Sequence, residues 1–561
     1  MIRSFSALAL AFVVGGCAPS ADGGPDGLID PDALPRAFEA VSAASVEEAV
    51  RHLSDDAMLG RGTGTQDKER AAEWIAERFR EAGAVPLTGN DLFQTVKLVG
   101  FRRDQERSNL VLRGPDGVIE HENEVTLTWW PANVEEEVTL QDVPMVFVGH
   151  GITAPEVGWD DYEDVDVSGK VLVFLNDDPR VTENGEELFG GPTRTYYGRW
   201  TYKFEQARDR GAAGAIVIHT TESAGYGWQV IGNKGAEMQF GLDASGAGYD
   251  LPLLAWMHQD LANELAATVD DDLEAWFEAG RQRDFRPVEL PVTVDVRARV
   301  ELERTTSRNV LAVIEGTDPD LRDEVVVVTA HYDHLGIKPD TGPDQDAIYN
   351  GAWDNAAGTG AIVRIAEGVA VSEIQPRRSV LFFAVSAHEK GLLGSRWFAA
   401  DPPVDPARFV ANVNFDMPQI FGVTRDIVAI GKSKSELGTI LADVASRFEL
   451  ADGTSLRVED DPTPGAGRFY RSDQLHFARL GVPGLYLAPG TDYLTGPAAD
   501  PVEYRSEHYH QVSDEVNAVW DFEGLARDAR LVLTFVLELA NREAMPDWSE
   551  GAEFARPAPG V

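Results

Sequence analysis

Three short apolar runs in the C-terminal half of the chain each end in a histidine or an acidic residue, and this recurrence strongly constrains the fold. The runs are Val325–Ala330, Val380–Ser386 and Val410–Phe415, followed respectively by His331, by His388 and Glu389, and by Asp416. β-Branched and aromatic runs of this length predict buried strands, and the helix-like pattern over residues 361–370 lies between the first two. We therefore expect an α/β fold with helices packed on a β-sheet.

The polar groups after these strands form a candidate metal site. Ligands bind at the carboxyl ends of strands in open α/β sheets. Two further candidates lie in loops, Asp354 in the turn Gly351–Gly358 and His510 before the last predicted helix. Imidazole and carboxylate groups are the zinc ligands available to this chain. A lone histidine at a strand end is more often structural and a lone acid is more often a surface charge, but five such groups together favour a metal centre.

The order of the motifs resembles the co-catalytic zinc aminopeptidase family, which includes bacterial leucyl aminopeptidases, aminopeptidase Y and, more distantly, glutamate carboxypeptidase. The motifs are His331-Tyr-Asp333, Gly351-Ala-Trp-Asp354-Asn, Glu389-Lys-Gly-Leu-Leu-Gly-Ser395, Asp416-Met and Tyr509-His510. The resemblance implies a zinc-exopeptidase-like mixed β-sheet flanked by helices.

The resemblance also implies two Zn²⁺ per chain and assigns their ligands. One ion is expected on His331 and Asp416 and the other on Glu389 and His510. Asp354 is expected to bridge the two ions and to be followed by a cis peptide bond. Two neighbouring zinc ions can activate a water and polarise a carbonyl, so the implied reaction is hydrolysis of N-terminal peptide bonds in peptides or small proteins.

Supporting roles are expected for several neighbours of the ligands. Asp333 is expected to orient His331, and Asp514 to support His510, although helix capping by Ser513 or Asp514 explains that stretch equally well. His334 is either a lining residue of the substrate pocket or a solvated loop histidine. Tyr470 lies near the place where the family has a tyrosine that hydrogen-bonds the oxyanion.

One position departs from the family in a way that affects the mechanism. The residue before the zinc-binding glutamate is normally a second glutamate that acts as general base, and here it is His388. Imidazole can do this work because its ordinary pKa lies near neutrality. We therefore expect His388 to be the base; the alternative is a weakly active or non-catalytic binding protein. A second departure is Ser472-Asp473-Gln474, where the family usually has Ser-Asp-His.

Other activities known on the same scaffold stay open at this point. A carboxypeptidase or dipeptidase would use the same metal centre on a different end of the substrate. A glutaminyl cyclase would use one zinc ion, and the two complete ligand sets argue against it. The sequence leaves open the preferred residue, the metal actually loaded and the oligomeric state.

Composition and the N-terminus bear on partners and location. The formal net charge of −44 argues against a nucleic-acid partner. A basic start, an apolar core over residues 7–14 and the single cysteine, Cys17, resemble a lipoprotein signal peptide. The alternative is an ordinary cleaved signal. We expect an exported protein of the bacterial cell envelope, with a lipid anchor through Cys17 on the outer-membrane or periplasmic side, or a secreted one.

The remaining chain divides into segments of different character. We expect a signal peptide over 1–17, a flexible tether over 18–35, the N-terminal part of the peptidase domain over 36–139, the catalytic domain over 286–547 and a loose tail over 548–561. The segment 140–285 is rich in glycine and short β-branched runs and resembles a protease-associated domain, either a lid or a passive element. Its aromatic residues Tyr196, Tyr197, Trp200 and Tyr202 are expected to face the cleft.

Overall fold

The computed structural model describes residues 28–556, except 66–67, 164, 184–185, 244–249, 339–340 and 343–344. The α-helices are α1 Pro35–Ala40, α2 Ala43–Leu53, α3 Lys68–Glu81, α4 Trp200–Asp209, α5 Thr221–Ala224, α6 Gln259–Ala267, α7 Leu273–Gly280, α8 Ala357–Val371, α9 Leu393–Ala400, α10 Leu437–Ala445, α11 Gln474–Arg479, α12 Pro501–His508 and α13 Phe522–Asn541.

The β-strands are β1 Val85–Pro86, β2 Phe93–Arg103, β3 Asn109–Gly114, β4 Gly117–Ile119, β5 Leu127–Trp130, β6 Glu137–Phe147, β7 Thr153–Ala154, β8 Trp159–Asp160, β9 Val171–Leu175, β10 Thr182–Glu183, β11 Glu186–Glu187, β12 Gly214–His219, β13 Gln239–Leu242, β14 Leu253–His258, β15 Val288–Ile314, β16 Val325–His331, β17 Gly336–Ile337, β18 Ile348–Tyr349, β19 Ser379–Val385, β20 Phe409–Phe415, β21 Asp426–Ile430, β22 Arg457–Glu459 and β23 Gly484–Ala488.

The first sheet is mixed, as expected from the sequence. Strands β19, β16, β20 and β23 run parallel in that order. Antiparallel pairing adds β15 beside β19 and β21 beside β23. The three central strands β16, β19 and β20 are buried along their whole length. Strands covered on both faces need apolar side chains throughout, which is why these segments read as continuous apolar runs.

The long strand β15 connects this sheet to a second one. Its C-terminal part pairs with β19 and β2, whereas residues 288–299 pair with β3 and β6. The second sheet continues through parallel pairing of β6, β9, β12 and β14, and β5 pairs antiparallel with β14. Strand β13 returns to the first sheet by pairing with β2. The two sheets are therefore joined by a continuous strand.

Each sheet has its own apolar core. One face of the first sheet packs against the helices α2, α3, α8 and α13. Ala71, Ile75 and Phe79, which share one face of α3, are fully buried there. In the described part of the chain, no helix is both long and apolar enough to span a membrane.

The second core extends beyond the segment 140–285 that the sequence distinguishes. It includes Leu110, Leu112 and Trp129 before that segment and Val292 to Val300 after it. The boundary differs because β3, β5 and β15 pair with strands of the second sheet, and this pairing joins segments that are distant along the chain.

Both chain ends are packed more tightly than expected over their described parts. Ile29, in the predicted tether, is 7% exposed, and its N–H donates to Glu538 at 2.9 Å. In the predicted loose tail, the Trp548 indole donates to the Gly481 carbonyl at 2.9 Å, and Arg556 donates to the Val410 carbonyl at 2.6 Å. The expectation of loose chain is therefore wrong for residues 28–35 and 548–556. The signal peptide with Cys17 and residues 557–561 lie outside the described residues.

Candidate metal centre

The five predicted ligands come together at one edge of the first sheet. His331 is the last residue of β16, Asp416 directly follows β20, and Glu389 follows β19 by a short loop. Asp354 lies in the turn before α8, and His510 lies just after α12. The parallel strands thus deliver three of the groups at their carboxyl ends, and two loops close over them.

Asp354 lies at the middle of the cluster. The Nε2 atom of His331 lies 3.2 Å from Asp354 Oδ1 and 3.3 Å from Asp416 Oδ1. On the other side, the Nε2 atom of His510 lies 3.0 Å from Asp354 Oδ2 and 3.3 Å from Glu389 Oε2. The two oxygens of Asp354 therefore face two different histidines, each paired with a second carboxylate.

The donor atoms of this cluster fit a divalent metal. His510 Nε2 is buried and has no hydrogen-bond partner, although two carboxylate oxygens lie near it. The ligand atoms of His331, Asp354 and Glu389 all lie within 4.8 Å of one another. Nitrogen and carboxylate oxygen donors gathered in this way, with at least one nitrogen lacking a hydrogen bond, match the ligands that zinc binds.

The electrostatics of the cluster favour a positive charge between its carboxylates. Burial alone would lower the pKa of His510, but Glu389 and Asp354 outweigh it and raise that pKa to about 10. Burial would also raise the pKa of Asp354, yet the neighbouring imidazoles of His331 and His510 hold that pKa well below the ordinary carboxyl value. Carboxylates that stay ionised while buried require a nearby cation.

The turn that carries Asp354 is held by the backbone and by Asp514. The Asp354–Asn355 peptide bond is cis, as the resemblance implies. Gly351 adopts a φ of 55°, and a Cβ atom there would lie 2.5 Å from the Asp354 carbonyl oxygen, so the position requires glycine. The Asp514 carboxylate accepts from the N–H groups of Trp353 at 2.9 Å and Asp354 at 3.1 Å. Asp514 thus holds the turn of Asp354, whereas the sequence predicted that Asp514 would support His510.

Asp333 supports the site differently from the prediction. The ring of His331 is held by the backbone carbonyl of Asp333, at 3.2 Å from Nδ1. The Asp333 carboxylate instead accepts from the N–H groups of His388 at 3.0 Å and Glu389 at 3.3 Å, and from the Thr63 hydroxyl at 2.9 Å. The carboxylate therefore fixes the loop that presents His388 and Glu389.

His388 lies beside the cluster and is oriented by a buried carboxylate. Its ring is stacked on that of His331, with centroids 3.7 Å apart and planes at 9°. Its Nδ1 atom lies 2.9 Å from Asp473 Oδ2, and the Ser395 hydroxyl donates to Asp473 Oδ1 at 2.6 Å. With Nδ1 donating to Asp473, Nε2 carries the free lone pair. His388, His331 and Asp416 also have ligand atoms within 4.8 Å of one another, so His388 is placed either to accept a proton or to bind a metal.

Ser472 and Arg61 were given no role from the sequence, whereas His334 was given two alternative roles. Ser472 donates to Asp416 Oδ2 at 2.7 Å, and His334 lies fully buried with Nδ1 2.9 Å from Glu389 Oε1, so it is not a solvated loop histidine. Arg61 is fully buried and donates to the carbonyls of Tyr332 at 2.7 Å and Gly351 at 2.8 Å, which links the His331 and Asp354 segments. The Gly-Arg-Gly loop that carries Arg61 was visible in the sequence, but its partners were not.

Tyr470 lines a cleft that His388 and Glu389 also line, and its hydroxyl already forms hydrogen bonds. That hydroxyl donates to Glu553 and accepts from Lys434 Nζ at 2.8 Å. The hydroxyl proton of Tyr470 therefore points to Glu553 in the C-terminal segment. The role of Tyr470 as a donor to an oxyanion stays a prediction.

The residues built on the second sheet are called the second module below, and those built on the first sheet the first module. Of the predicted aromatic patch, Tyr196 and Trp200 line the cleft, whereas Tyr197 and Tyr202 pack around Phe189 within the second module.

Solved structures similar to this chain include two bacterial aminopeptidases. The aminopeptidase from Aneurinibacillus sp. strain AM-1 is 17% identical with a TM-score of 0.49, over 93% of this chain and 99% of that one. BSAP, a zinc aminopeptidase from Bacillus subtilis, is 17% identical with a TM-score of 0.41, over 92% of this chain and 98% of that one.

Two curated relatives and one family model also match this sequence. A probable zinc metalloprotease of Pyrenophora teres f. teres (strain 0-1) is 26% identical over 254 residues, which cover 42% of this chain and 49% of that protein, so the match spans about half of the relative. A probable zinc metalloprotease of Pyrenophora tritici-repentis (strain Pt-1C-BFP) is 24% identical over 317 residues, which cover 48% of this chain and 67% of that protein. The model of peptidase family M28 matches residues 309–536, the segment that contains all five clustered residues. Residues 309–536 are therefore a metallopeptidase domain of family M28.

Proposed function

We propose that the protein is an exported exopeptidase that hydrolyses N-terminal peptide bonds at a centre of two zinc ions. The observation that carries the proposal is the position of Asp354, whose two oxygens face His331 at 3.2 Å and His510 at 3.0 Å. A carboxylate between two such nitrogens would belong to two ligand sets. His331 and Asp416 would complete one ligand set, and Glu389 and His510 the other.

The bound ions would supply Lewis acidity for the scissile carbonyl and would lower the pKa of a water. The protein itself supplies the proton transfer. Asp473 accepts from His388 Nδ1 and so keeps the lone pair of Nε2 free to take a proton from the attacking water. His388 then returns that proton to the leaving amine. Its side chain is 13% exposed and lines the cleft, so the atom that moves the proton can reach a substrate.

Fixed positions of these groups matter as much as their identity. The Asp333 carboxylate binds the backbone of both His388 and Glu389, so the base and one ligand move as one unit. Asp514 holds the backbone of Asp354 in the same way. Reacting groups held within a few tenths of an ångström of their working positions lower the entropic part of the barrier.

The second module is proposed to be a protease-associated domain that shapes the substrate entrance. Its residues Tyr196, Trp200 and Lys234 line a cleft that His388 and Glu389 also line. This contact with the site supports a role in substrate selection. Export to the cell envelope, with a lipid anchor at Cys17, is proposed from the N-terminal sequence alone.

A panel of substrates with one blocked end tests the direction of cleavage. Aminoacyl substrates with a free amino group and no free carboxylate should release their N-terminal residue, and the release should stop on chelation. Peptides with an acetylated amino group and a free carboxylate should be left intact. Cleavage of only the second set would replace the aminopeptidase by a carboxypeptidase on the same centre.

A further inference from the structure

The cleft between the two modules differs in charge from the rest of the protein. It has a volume of about 350 Å³ and is lined on its apolar part by Phe101, Trp130, Met238 and Phe240. Six cationic side chains line it against four acidic ones, in a chain whose formal net charge is −44. Since the protein as a whole repels anions, a cationic cleft at the site implies selection for a particular ligand.

Three of the cations are available to such a ligand. Glu205 is already bound to Arg479 at 2.8 Å and to the Tyr196 hydroxyl at 2.5 Å. In contrast, Lys234, Lys390 and Arg471 form no ion pair with any residue in the part of the chain that the structure describes. Arg471 is exposed, and the two lysines are half-buried.

Two of these cations directly adjoin the groups that we place at the reaction. Lys390 follows Glu389 in the chain, and Arg471 precedes Ser472, which donates to Asp416 at 2.7 Å. The Lys390 ammonium lies 5.9 Å from the ring centroid of Phe240, which also lines the cleft. Burial lowers the pKa of Lys234, and attraction to the nearby Glu237 opposes this effect, while repulsion from Lys390 adds to it.

We propose that Lys390, Arg471 and Lys234 form a subsite that binds a carboxylate of the peptide substrate. This inference rests on the proposed function and names its substrate class, peptides that carry a carboxylate beyond the scissile bond. That carboxylate is either the C-terminal group of a short peptide or the side chain of an acidic residue. A guanidinium and ammonium groups can each donate charge-assisted hydrogen bonds to it.

Two matched pairs of peptides test the subsite, each starting with the N-terminal residue that is cleaved fastest. The first pair is the tripeptide ending in Gly-Gly and its C-terminal amide. The second pair consists of two tripeptide amides with the same first residue, one continuing with Glu-Gly-amide and the other with Gln-Gly-amide. We expect kcat/KM to be about tenfold higher for the charged member of at least one pair. A preference in the first pair assigns the C-terminal carboxylate, and one in the second assigns the side chain.

Variants connect the preference to the named cations. Lys390→Gln and Arg471→Gln should each reduce the ratio of kcat/KM between charged and uncharged substrates, mainly through KM, and the double variant should bring it close to one. Lys97→Gln, an exposed lysine of β2 outside the cleft, is the matched control and should leave the ratio unchanged. Raising the ionic strength should lower the ratio in the unmodified protein.

The outcomes separate the inference from the proposed function. Equal kcat/KM within both pairs would overturn the subsite while leaving the aminopeptidase intact. A preference that persists in the double variant would overturn the assignment to Lys390 and Arg471. Failure to release the first residue from any of the four peptides would overturn the proposed function and the subsite together.

Discussion

His388 and Asp473 form a buried pair in which the imidazole Nδ1 lies 2.9 Å from the carboxylate Oδ2. Asp473 is fully buried, and Ser395 donates to its other oxygen at 2.6 Å. The carboxylate is therefore fixed in place and selects one tautomer of the imidazole. In the position where the family carries a glutamate, this chain has a histidine together with a partner that orients it.

Replacing Asp473 by asparagine should lower kcat about 100-fold, with a much smaller change in KM, because the amide can stabilise the wrong tautomer of His388. Steady-state kinetics on an aminoacyl substrate measure the two constants separately. Ser395→Ala is the matched control, since it removes one hydrogen bond to Asp473 but leaves the pair with His388; it should cost less than tenfold. An unchanged kcat in Asp473→Asn would mean that the pair is not part of the reaction.

Replacing His388 by alanine separates a base from a metal ligand. As the base, His388 supports a rate factor of about 10² to 10⁴, so kcat should fall by that amount while the metal content stays at two ions per chain. Metal analysis of the purified variant provides the second measurement. Loss of one ion would instead make His388 a ligand beside His331 and Asp416, whose ligand atoms lie within 4.8 Å of its own.

The two metal sets should respond differently to substitution of their ligands. Asp354→Ala removes the carboxylate that faces both histidines and should lower the affinity for both ions. His510→Ala removes a ligand on one side only and should lower the affinity for one. Titration of each variant with a competing chelator measures the number of ions lost in each step, and equal losses in the two variants would contradict a bridging role for Asp354.

Arg61 should be one of the costliest single positions for stability outside the ligands. Its guanidinium donates to four backbone carbonyls, those of Leu53, Tyr332, Asn350 and Gly351. Arg61→Met leaves these buried acceptors without a donor and should lower the free energy of unfolding by about 3 kcal/mol.

Denaturant unfolding measures this loss, with Arg51→Ala as the control. Arg51 pairs with Glu47 on the exposed surface of α2, and its removal should change the free energy of unfolding by less than about 0.5 kcal/mol. Similar effects of the two substitutions would mean that Arg61 does not hold the segments around the site.

Local patterns were sufficient to predict the central strands and the residues at their ends. The apolar runs of β16, β19 and β20 are continuous because both faces are covered, and this signal lies within a few residues of sequence. In contrast, the long strand β15, Val288–Ile314, belongs to both sheets, and its full extent was not predicted. Its first part alternates apolar and polar residues from Val292 to Val300, which is the pattern of a strand with one buried face.

The supporting contacts of the site could not be predicted, because they join residues far apart in the chain. Asp473 reaches His388 across 85 positions, and Arg61 reaches Gly351 across 290. No local sequence pattern marks Asp473 or Arg61 as the residue that makes these contacts, since any buried carboxylate or arginine could make them. Asp333 shows the same limit, because proximity in sequence suggested His331, whereas packing directs its carboxylate to the backbone of His388 and Glu389.

Zinc stoichiometry coupled to catalysis tests the central claim most directly. Protein stripped with a chelator is titrated with Zn²⁺ while bound metal and release of a free N-terminal residue are followed together. Two equivalents should bind per chain, with full activity reached only as the second site fills, and the melting temperature should rise with occupancy. Saturation at one equivalent, or hydrolysis that survives complete removal of metal, would contradict a two-zinc exopeptidase.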